Sequence, residues 1–519
     1  MPGEKYFFLN INLSYKLAGL EHASLKRARL FQEQLGITPT IVTTKYNNRL
    51  IDIREHFIQQ GLLNEKIPVI NMYEYFQGTY TDQRIQKKHP VVQDAGWTYK
   101  EVSGTNDLRV YRENRLLMYQ KRTSSGNVHY INYFHNGKKV RRDGYDCNGF
   151  LSVVQVLHPE TSRVMQETYY TVEGTPCIIK HYRETGKKAE LSSIMLMDED
   201  GHVTKVFHDE KELVAYWLDK ILNTYDTYYL FVDKNRVYYE ALQRIKKENH
   251  YIIPMIHAIH TKDAVDVYES KLNFNYASIF EDVQQPDAIV MLTKKQKQDV
   301  AKRFGEDGNY YAIPHALTTI PKPVSFNQRK RGRVVALARF SKEKRLDHMI
   351  HMFAKVVNEV PHAELEIYGY GSEKKNLEQL IDELKMEENI KIKPYVDQPR
   401  EVYESARLSL LTSKGEGFSL VTMESLAHGC PVISYDINYG PSDMIKHGEN
   451  GFLVPRDDEE AFVNYIIQVL TDEKLNERLS ENAYRYSEPF HPQKVAVKWR
   501  EMLEEVKKKE VTCMNKDLE

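Results

Sequence analysis

The pattern of hydrophobic and polar positions changes twice along the 519 residues of this chain. Near the N-terminus, "YFFLNINL" has the apolar run of a buried strand, and "TPTIVTT" predicts a second strand. Between them, "EHASLKRARLFQEQLG" has the spacing of an amphipathic helix that ends at Gly36. Strands that alternate with helices are typical of a parallel sheet with right-handed crossovers, so the chain begins as an α/β domain.

A different pattern runs from about Gly96 to His208. Short segments rich in Tyr, Val, Ile and Thr are separated by the turn sequences "SSGN", "HNGKK", "VEGT", "ETGKK" and "DEDGH". Among these turns, Asn136-Gly137 is a strong hairpin signal. The spacing predicts a meandering antiparallel sheet, present as a β-rich insert over residues 96–208 of an α/β domain.

The α/β pattern then returns and continues to the end of the chain. The strands "YLFVDKN" and "YIIPMIHAIH" flank a helix, and the basic, proline-rich "TTIPKPVSFNQRKRGR" is typical of a linker. We predict an N-terminal Rossmann-like domain over 1–318, interrupted by the insert, and a C-terminal Rossmann-like domain over 326–485. Residues 486–519 are predicted to form a helix that packs back on the N-terminal domain.

Composition excludes several classes of function. The net charge of -1 and pI near 7.0 argue against bulk binding to nucleic acid. The cysteines are too few and too scattered for a disulfide framework or a CxxC metal site, which favours a reducing compartment; they are Cys147, Cys177, Cys430 and Cys513. With no recognisable signal peptide and no apolar run of about 18 residues, we expect a soluble, cytoplasmic protein with at most peripheral membrane contact.

Candidate ligand-binding residues follow the predicted strands of the C-terminal domain, where parallel α/β sheets bind ligands. Arg339 and Lys344 place two cations in a strand-to-helix turn suited to diphosphate oxygens, although solvated charge is an equally open interpretation. Gly369 and Gly371 permit close backbone approach, but a tight turn also explains them. Tyr395 follows the next strand.

The stretch "SKGEGFSLVTMESLAHGCPVIS" contains Glu416 and Glu424, eight positions apart. Because "EGFSL" precedes a helix, backbone N–H groups there can bind an anion. If 416–424 were fully helical, the two acids would lie ~12 Å apart, beyond the ~5–9.5 Å of paired glycosidase carboxylates. This spacing favours two acids that bind opposite ends of an extended ligand, a sugar and a ribose. The alternative is a capping Glu416 and a solvated Glu424.

Three residues of the N-terminal domain are weaker candidates. Gly19 lies in a strand-to-helix loop where backbone can meet phosphate, although a plain turn glycine is as good an explanation. His257 and His260 are predicted at the end of a strand, where a spacing of three puts them on opposite faces and makes a shared metal site poor. Each has a structural alternative, and His257 is the candidate for contact with the transferred group.

Taken together, these residues resemble the retaining GT-B glycosyltransferases of the family 4 type, which use nucleotide sugars. The resemblance rests on Arg339 with Lys344, "YGYG", the E-x7-E spacing, "IHAIH", "VMLTKKQKQDV", "IPHAL" and "SYDINYGPSDMIKHGENGFLV". It implies two Rossmann-like domains facing across a cleft. The β-rich insert makes the chain similar to poly(glycerol- or ribitol-phosphate) α-glycosyltransferases of wall teichoic acid, and to the accessory Sec glycosyltransferase of serine-rich adhesins.

The resemblance also implies roles for individual residues. Arg339 and Lys344 would neutralise the donor diphosphate with help from the Gly19 backbone, and His257 would lie beside the sugar. Glu416 would bind sugar hydroxyls. The remaining donor contacts implied are Tyr395 and Val396 near the base, the amides of Gly417, Phe418, Ser419 and Leu420, and Glu424 on the ribose. No metal and no cofactor beyond the UDP-sugar substrate is expected. The single glycine of "KLAGLE", where relatives often have two, departs from the pattern.

The acceptor is less well determined by the sequence. A basic hairpin in the insert is suited to a polyphosphate backbone, although a solvated hairpin tip is the more usual meaning of such a run; its residues are Lys138, Lys139, Arg141 and Arg142. We expect transfer of glucose or N-acetylglucosamine to teichoic acid, or alternatively to a Ser/Thr-rich protein. A noncatalytic acceptor-binding subunit is a further alternative, and the insert is a candidate surface for homo-oligomerisation.

Overall fold

The computed structural model describes residues 3–17, 19–79, 94–246 and 249–516, with 509–516 as backbone only. The helix predicted over residues 486–519 thus includes residues 517–519, which lie outside the described residues, as does the side chain of Cys513. The chain divides into two compact units, one of residues 1–29 and 38–252 and the other of residues 30–37 and 253–519. The domain boundaries predicted from the sequence stay predictions.

The first unit begins with alternating strands and helices. These are β1 (Glu4–Asn10), α1 (Gly19–Leu30), β2 (Thr40–Thr43), α2 (Leu50–Gln59), β3 (Val69–Asn71) and α3 (Met72–Gln77). The helical run from Gly19 continues as a π-helical turn, Phe31–Leu35, and ends at Gly36 in a left-handed conformation. The predicted end of this helix is thus confirmed, and glycine suits it because a Cβ is unfavourable at that backbone angle.

Ten consecutive strands follow and form one antiparallel sheet in chain order. They are β4 (Thr98–Glu101), β5 (Leu108–Arg112), β6 (Arg115–Arg122), β7 (Val128–His135), β8 (Lys138–Tyr145), β9 (Leu151–Leu157), β10 (Val164–Tyr170), β11 (Pro176–Thr185), β12 (Lys188–Met197) and β13 (Val203–Phe207). Asn136 and Gly137 connect β7 to β8 with φ angles of 48° and 75°. Positive φ at both positions defines the hairpin turn predicted for this dipeptide, and the predicted meander is confirmed.

The insert sheet is tied to the α/β part of the first unit by side-chain amides. The amide of Asn48 donates to the Tyr145 carbonyl at 2.7 Å, and the amide of Gln77 donates to the carbonyls of Ser152 and Tyr170 at 2.9 Å each. Because each amide bonds to backbone groups of the insert, these side chains join the insert sheet to the α/β part of the unit.

The chain then returns to the α/β pattern. The next elements are α4 (Glu210–Ile221), β14 (Thr227–Val232), α5 (Asn235–Leu242) and β15 (His250–Ile256), and β1 pairs in parallel with both β2 and β14. β14 is almost entirely buried, as expected for a parallel strand covered on both faces. The buried guanidinium of Arg27, on α1, forms a 2.6 Å ion pair with Asp233, which follows β14.

The second unit contains the end of β15 and the strands and helices after it. They are β16 (Ile289–Met291), α6 (Lys294–Phe304), β17 (Tyr310–Ala312), β18 (Arg333–Arg339), α7 (Leu346–Glu359), β19 (Glu364–Tyr370), α8 (Lys374–Glu383), β20 (Ile390–Lys393), α9 (Arg400–Ser405), β21 (Leu408–Leu411), α10 (Leu420–Ala427), β22 (Val432–Tyr435), α11 (Pro441–Met444), β23 (Gly451–Val454), α12 (Glu459–Thr471), α13 (Glu473–Tyr486) and α14 (Pro492–Lys516).

Six of these strands form a parallel sheet in the order β20-β19-β18-β21-β22-β23. Its core is apolar on the side of α7 and α12, where residues such as Ile350, Phe353 and Ile466 are fully buried. At the C-terminus, α14 packs against the Phe31–Leu35 turn, with the rings of Phe31 and Trp499 5.4 Å apart. The alternating pattern therefore produces the Rossmann-like sheet predicted for this part of the chain.

The stretch interpreted as a linker is partly built into this unit. Arg329 is 2% exposed, and its guanidinium donates to the carbonyls of Tyr403, Ala406 and His428. A buried guanidinium needs most of its donors satisfied, so this arginine fixes the entry of the chain into β18.

Among the described residues, no helix combines the length and apolar character needed to cross a membrane.

Candidate active site

The candidate residues of the second unit follow strands that are neighbours in the sheet. β18 pairs in parallel with both β19 and β21, and β19 pairs in parallel with β20. The carboxyl ends of parallel strands lie at one edge, so the segments after Arg339, Tyr370, Lys393 and Leu411 share that edge. The prediction that four loops meet at one edge of this sheet is confirmed.

Lys344 and Glu416 are brought together at that edge. The ammonium of Lys344 donates to Glu416 Oε1 at 2.6 Å, and both side chains are 14% exposed. The hydroxyl of Ser413 donates to the same oxygen at 2.7 Å. Within the described residues, the second carboxylate oxygen and the other two ammonium hydrogens make no hydrogen bond. The pair therefore offers donors and an acceptor side by side.

The loop that contains Lys344 is fixed to the end of β21. Lys344 closes a short 3-10 turn, Lys342–Lys344, and Arg345 after it has a positive φ of 51°. The hydroxyl of Thr412 bonds to the carbonyls of Lys344 and Arg345 at 3.0 Å each. Because the turn is held at two carbonyls, the lysine is positioned before any ligand binds.

Gly369 and Gly371 hold the end of β19 against the end of β18. Their φ angles are 156° and 154°, and a Cβ at these positions would lie 1.9 Å from the Ala338 carbonyl oxygen and 2.2 Å from that of Phe340. Only glycine permits this approach. The close approach expected of the two glycines is thus made to the protein's own backbone.

The "GEGF" loop packs closely against the segment that follows β15. A Cβ on Gly417 would lie 2.1 Å from the His257 carbonyl oxygen, and one on Gly415 would lie 2.6 Å from Ile259 Cδ1. The Glu416 amide donates to the Asn438 carbonyl at 2.9 Å. These contacts bring the predicted His257 next to the loop that contains Glu416.

A second histidine, His315, completes this region and was missed by the sequence analysis as a site residue. Its ring lies 6.1 Å from that of His257 at an interplanar angle of 9°, and 5.1 Å from the perpendicular ring of Phe418. His315 follows β17, another parallel strand, within "IPHAL". Its position just after the carboxyl end of a parallel strand is the signal that marks it as a candidate.

The loop ends in a helix whose first amides are open. α10 begins at Leu420, after Ser419 with a φ of 71°, and the Ser419 hydroxyl pairs with Thr422 rather than capping the helix. Within the described residues, the amides of 417–421 donate no hydrogen bond. These amides are open to an anion, and anion binding at this position stays a prediction. Because residues 416–419 are not helical, the ~12 Å separation expected for a full helix does not apply.

The carboxylate of Glu424 is close enough to Tyr395 to affect the pKa of its phenol. Burial raises the pKa of Tyr395, and the carboxylates of Asp397 and Glu424 raise it further. The ring of Tyr395 meets that of Tyr370 at 5.5 Å and 89°, and both are about half exposed. Val396, beside Tyr395, packs against a small buried cluster. An aromatic ring and a carboxylate therefore lie in the same region, as the predicted contacts to a nucleoside require.

Arg339 is more weakly fixed than Lys344. It closes β18 and approaches Glu343 at 3.5 Å, with side chains 66% and 49% exposed. An exposed contact of this length contributes little to stability, so the guanidinium is available to a ligand.

In the described ranges, no group of three His, Cys, Asp or Glu side chains is placed to hold a metal ion.

The placement of His257 and His260 on a strand was wrong. β15 ends at Ile256, so His257 follows it directly and His260 lies in a bend. His260 is fully buried among Phe280, Phe304 and Tyr439, and burial lowers its pKa to about 4. Its ring is therefore neutral and packed, which agrees with the structural alternative.

Gly19 and the basic hairpin belong to the first unit. Gly19 is the exposed first residue of α1, with nothing within 4 Å of a Cβ built there. In β8 the register shifts opposite Tyr133 and Phe134, leaving Val140 without a partner. The pleat then places the basic residues on two faces: Lys139 and Arg142 share one, and Lys138 and Arg141 share the other.

Each of these basic side chains has its own surroundings. Lys138 pairs with Glu160 at 2.5 Å on the surface, and Arg141 binds the buried Asp143 through two hydrogen bonds. Arg142 donates to Asn132 at 2.8 Å. Burial, followed by repulsion from Arg142, lowers the pKa of Lys139. The hairpin is therefore not one uniform basic patch.

Known proteins share both a sequence family and a fold with this chain. Residues 321–486 match the family Glycosyl transferases group 1. The fold matches the crystal structure of an S. aureus TarM mutant in complex with Fondaparinux, alpha-GlcNAc-glycerol and UDP, with a TM-score of 0.82 and 20% identity over 96% of this chain and 99% of that one. The chain therefore has the GT-B fold, and its residues 321–486 match the group 1 glycosyltransferases; the resemblance predicted from the sequence is confirmed.

Within this class, three curated relatives match along nearly the whole chain. The poly(glycerol-phosphate) alpha-glucosyltransferase of Bacillus subtilis is 25% identical over 94% of this chain and 73% of its own length. The poly(ribitol-phosphate) alpha-N-acetylglucosaminyltransferase of Staphylococcus aureus is 22% identical over 96% and 99%. The GtfA subunit of the peptide N-acetylglucosaminyltransferase of Streptococcus gordonii is 24% identical over 96% and 98%.

Proposed function

We propose that this protein is a retaining glycosyltransferase that transfers glucose or N-acetylglucosamine from a UDP-sugar to a teichoic acid polymer of polyol phosphate repeats. The observation that carries the proposal is the partly buried Lys344–Glu416 pair beside the open amides that begin α10. This arrangement presents a cation, an anion-binding backbone and a hydroxyl acceptor at one sheet edge, which are the groups that a nucleotide sugar requires.

The donor lies along this edge in the proposal. Tyr395 and Val396 contact the base, and Glu424 accepts from the ribose hydroxyls. Arg339, Lys344 and the amides of residues 417–420 bind the diphosphate. The free oxygen of Glu416 accepts from a sugar hydroxyl, and His257 lies beside the sugar. The role of Gly19 in phosphate binding stays a prediction.

The chemistry is a displacement at the anomeric carbon with retention. UDP-glucose and UDP-N-acetylglucosamine are α-linked, and two relatives are named alpha-glycosyltransferases. The acceptor hydroxyl oxygen forms a bond to C1 on the face from which UDP leaves, while the bond from C1 to the phosphate oxygen breaks. The acceptor proton passes to the departing phosphate, whose growing negative charge is stabilised by Lys344 and Arg339. These two cations take the part that a metal ion has elsewhere, so the reaction is metal-independent.

The proposed acceptor is supported by the names of relatives that match along nearly the whole chain. Two of them are named for polyol phosphate polymers, and the TarM structure is described as a complex with alpha-GlcNAc-glycerol and UDP. A second candidate acceptor is a Ser/Thr-rich protein, favoured by the GtfA relative at similar identity and coverage. A noncatalytic subunit is disfavoured, because Arg339, Lys344, Glu416 and Glu424 are all present.

The test is transfer by the purified chain in four combinations. UDP-glucose and UDP-N-acetylglucosamine are each supplied with a polyol phosphate polymer or with a Ser/Thr-rich peptide, in the presence of EDTA. The expected result is an α-linked sugar on the polymer, read from the anomeric coupling constant by NMR. A β-linked product would contradict retention, and loss of activity in EDTA would contradict metal independence. No donor hydrolysis and no transfer would indicate the noncatalytic alternative.

A further inference from the structure

A cavity of about 610 Å³ lies in the second unit, beside the residues assigned to the donor but without them in its wall. Its lining comes from the segments after β18, β21 and β23 and from the starts of α7 and α8, and it consists of Ser341, Lys342, Arg345, Leu346, Asp347, His348, Glu373, Asn376, Leu377, Lys414, Arg456 and Asp457. The volume is within the range of small-molecule sites. Its lining is mostly charged, which excludes a simple apolar ligand.

Some of the cations that line this cavity form ion pairs within the protein, and two do not form one with any described residue. Arg345 pairs with Asp457 at 2.5 Å, and Arg456 approaches the same carboxylate at 3.6 Å. Lys342 and Lys414 are exposed, and neither ammonium forms an ion pair or hydrogen bond with a described residue. Two ammonium groups that face one cavity without carboxylate partners are suited to the oxygens of a phosphate ester.

Two helices begin at the cavity without side-chain caps. α7 follows Arg345, and α8 follows Glu373; neither preceding residue caps its helix with a side-chain hydrogen bond. Uncapped amides at two helix starts add to the positive potential that the lysines create. The helix starts support the lysines as an anion site and do not define it alone.

The remaining lining groups are suited to hydroxyls. Asp347 and Glu373 supply carboxylate oxygens, and the Asn376 amide donates to Glu373 at 2.9 Å. No aromatic side chain other than the His348 imidazole lines the described wall, so a nucleobase would find no stacking surface. A ligand with both phosphate and hydroxyl groups therefore matches the cavity better than free phosphate or a nucleotide does.

Residues of the cavity and residues of the candidate active site are close together in the sequence. Lys342 lies two residues before Lys344, and Lys414 lies two residues before Glu416. The Lys414 amide donates to the Glu343 carbonyl at 2.8 Å, which joins the two segments. Resting on the proposed function, we propose that this cavity binds one polyol phosphate repeat of the acceptor polymer, remote from the hydroxyl that receives the sugar.

The test compares polymer with a single-repeat acceptor. A Lys342→Gln/Lys414→Gln variant is assayed for transfer to poly(glycerol phosphate) and to glycerol phosphate, and polymer binding is measured directly by calorimetry without donor. The matched control is Lys375→Gln, an exposed lysine on α8 that does not line the cavity. We expect the polymer KM and Kd of the double variant to rise at least about tenfold, with kcat/KM for the single repeat within about twofold and the control unchanged.

Other outcomes separate the sources of failure. Equal polymer binding by wild type and double variant would overturn the cavity assignment, and so would an equal loss for polymer and single repeat. If inorganic phosphate and glycerol phosphate competed equally well against the polymer, the cavity would be a site for free phosphate. That result would overturn the assignment to a polyol phosphate. Absence of transfer by the wild-type chain counts against the proposed function, while the calorimetric comparison still decides the cavity.

Discussion

The Nζ atom of Lys344 lies 2.6 Å from Oε1 of Glu416, although the two residues are 72 positions apart in the chain. Both side chains are mostly buried, so the loss of one partner costs more than it would in a surface pair. Removing either partner leaves the other charge without its counterion. Each single substitution therefore reports on the pair, and the double variant is needed to separate the two contributions.

Lys344→Ala is expected to lower kcat by about 10²–10³, because the leaving diphosphate loses a donor that meets its growing charge. Folding should persist, with a modest fall in Tm from the unpaired Glu416. Steady-state kinetics and thermal melting measure the two effects. The control is Lys355→Ala, whose exposed pair with Glu459 should matter to neither. A Lys344→Ala enzyme within threefold of wild type would remove this role.

Glu424→Gln and Glu416→Gln are expected to act on different kinetic constants. A ribose contact is equally strong in ground and transition states, so losing Glu424 should raise the KM for the UDP-sugar. Glu416 holds Lys344 and contacts the sugar, so its loss should lower kcat. Initial rates over a range of donor concentrations separate the two. The reverse pattern would show that the two acids are assigned the wrong way round.

Gly417→Ala is expected to displace the loop that contains Glu416, because its Cβ would lie 2.1 Å from the His257 carbonyl oxygen. We expect a loss of about 1–3 kcal/mol in stability and a fall in kcat of at least about tenfold. Thermal melting of Gly19→Ala is the control for stability, since a Cβ there meets nothing within 4 Å. Wild-type stability and kcat in Gly417→Ala would show that the loop is free to adjust.

Lys139→Glu/Arg142→Glu tests the face of the insert where these two residues lie together. On a phosphate polymer, the reversal should raise the acceptor KM and flatten its salt dependence, because fewer counterions are released on binding. Donor hydrolysis should not change. Arg141 is left intact because it binds the buried Asp143.

The matched control for this test is Lys187→Glu/Lys188→Glu, which reverses two exposed lysines at the hairpin between β11 and β12. If both pairs of reversals left acceptor kinetics and salt slope unchanged, the insert would have no part in binding a phosphate polymer. Equal effects of both pairs would indicate general charge repulsion rather than a specific face.

Glu74→Gln is expected to stabilise the protein at pH 8 and not at pH 4. Burial and then the nearby Asp146 raise the pKa of Glu74 to about 8, and burial raises that of Asp146 to about 6. Since these pKa values lie above the unfolded ones, their stability contribution is full below about pH 4 and is lost as the pH rises through 6 and 8. We expect a gain of roughly 2 kcal/mol at pH 8 from chemical denaturation. An equal gain at both pH values would contradict the raised pKa.

Much of the fold could be predicted from local patterns in the sequence. The change of hydrophobic period at Gly96 marked the insert, and Asn136-Gly137 marked a hairpin whose turn has the backbone angles that this dipeptide favours. Gly36 marked the end of the first helix. These signals were reliable because each depends on the conformations open to a few neighbouring residues.

The candidate site was predictable only as a set of strand ends. Arg339 and Glu416 could be assigned to one edge, but His315 was missed, and His257 was placed on a strand that ends one residue before it. The two faces of the basic hairpin depend on a register shift at Val140, which the alternation of residue types does not reveal. A shift of one residue moves every later side chain to the other face.

The sequence by itself determined the alternating elements and the insert, and it predicted the class of ligand that two cations, two acids and a helix start can bind. Only the tertiary structure decided that Lys344 pairs with Glu416, that Gly417 meets the His257 carbonyl, and that Lys342 and Lys414 face one cavity. The physical reason is the order of the sheet. β18 and β21 are neighbours although β19 and β20 lie between them in the chain, and strand order is fixed by burial of the whole core rather than by any local pattern.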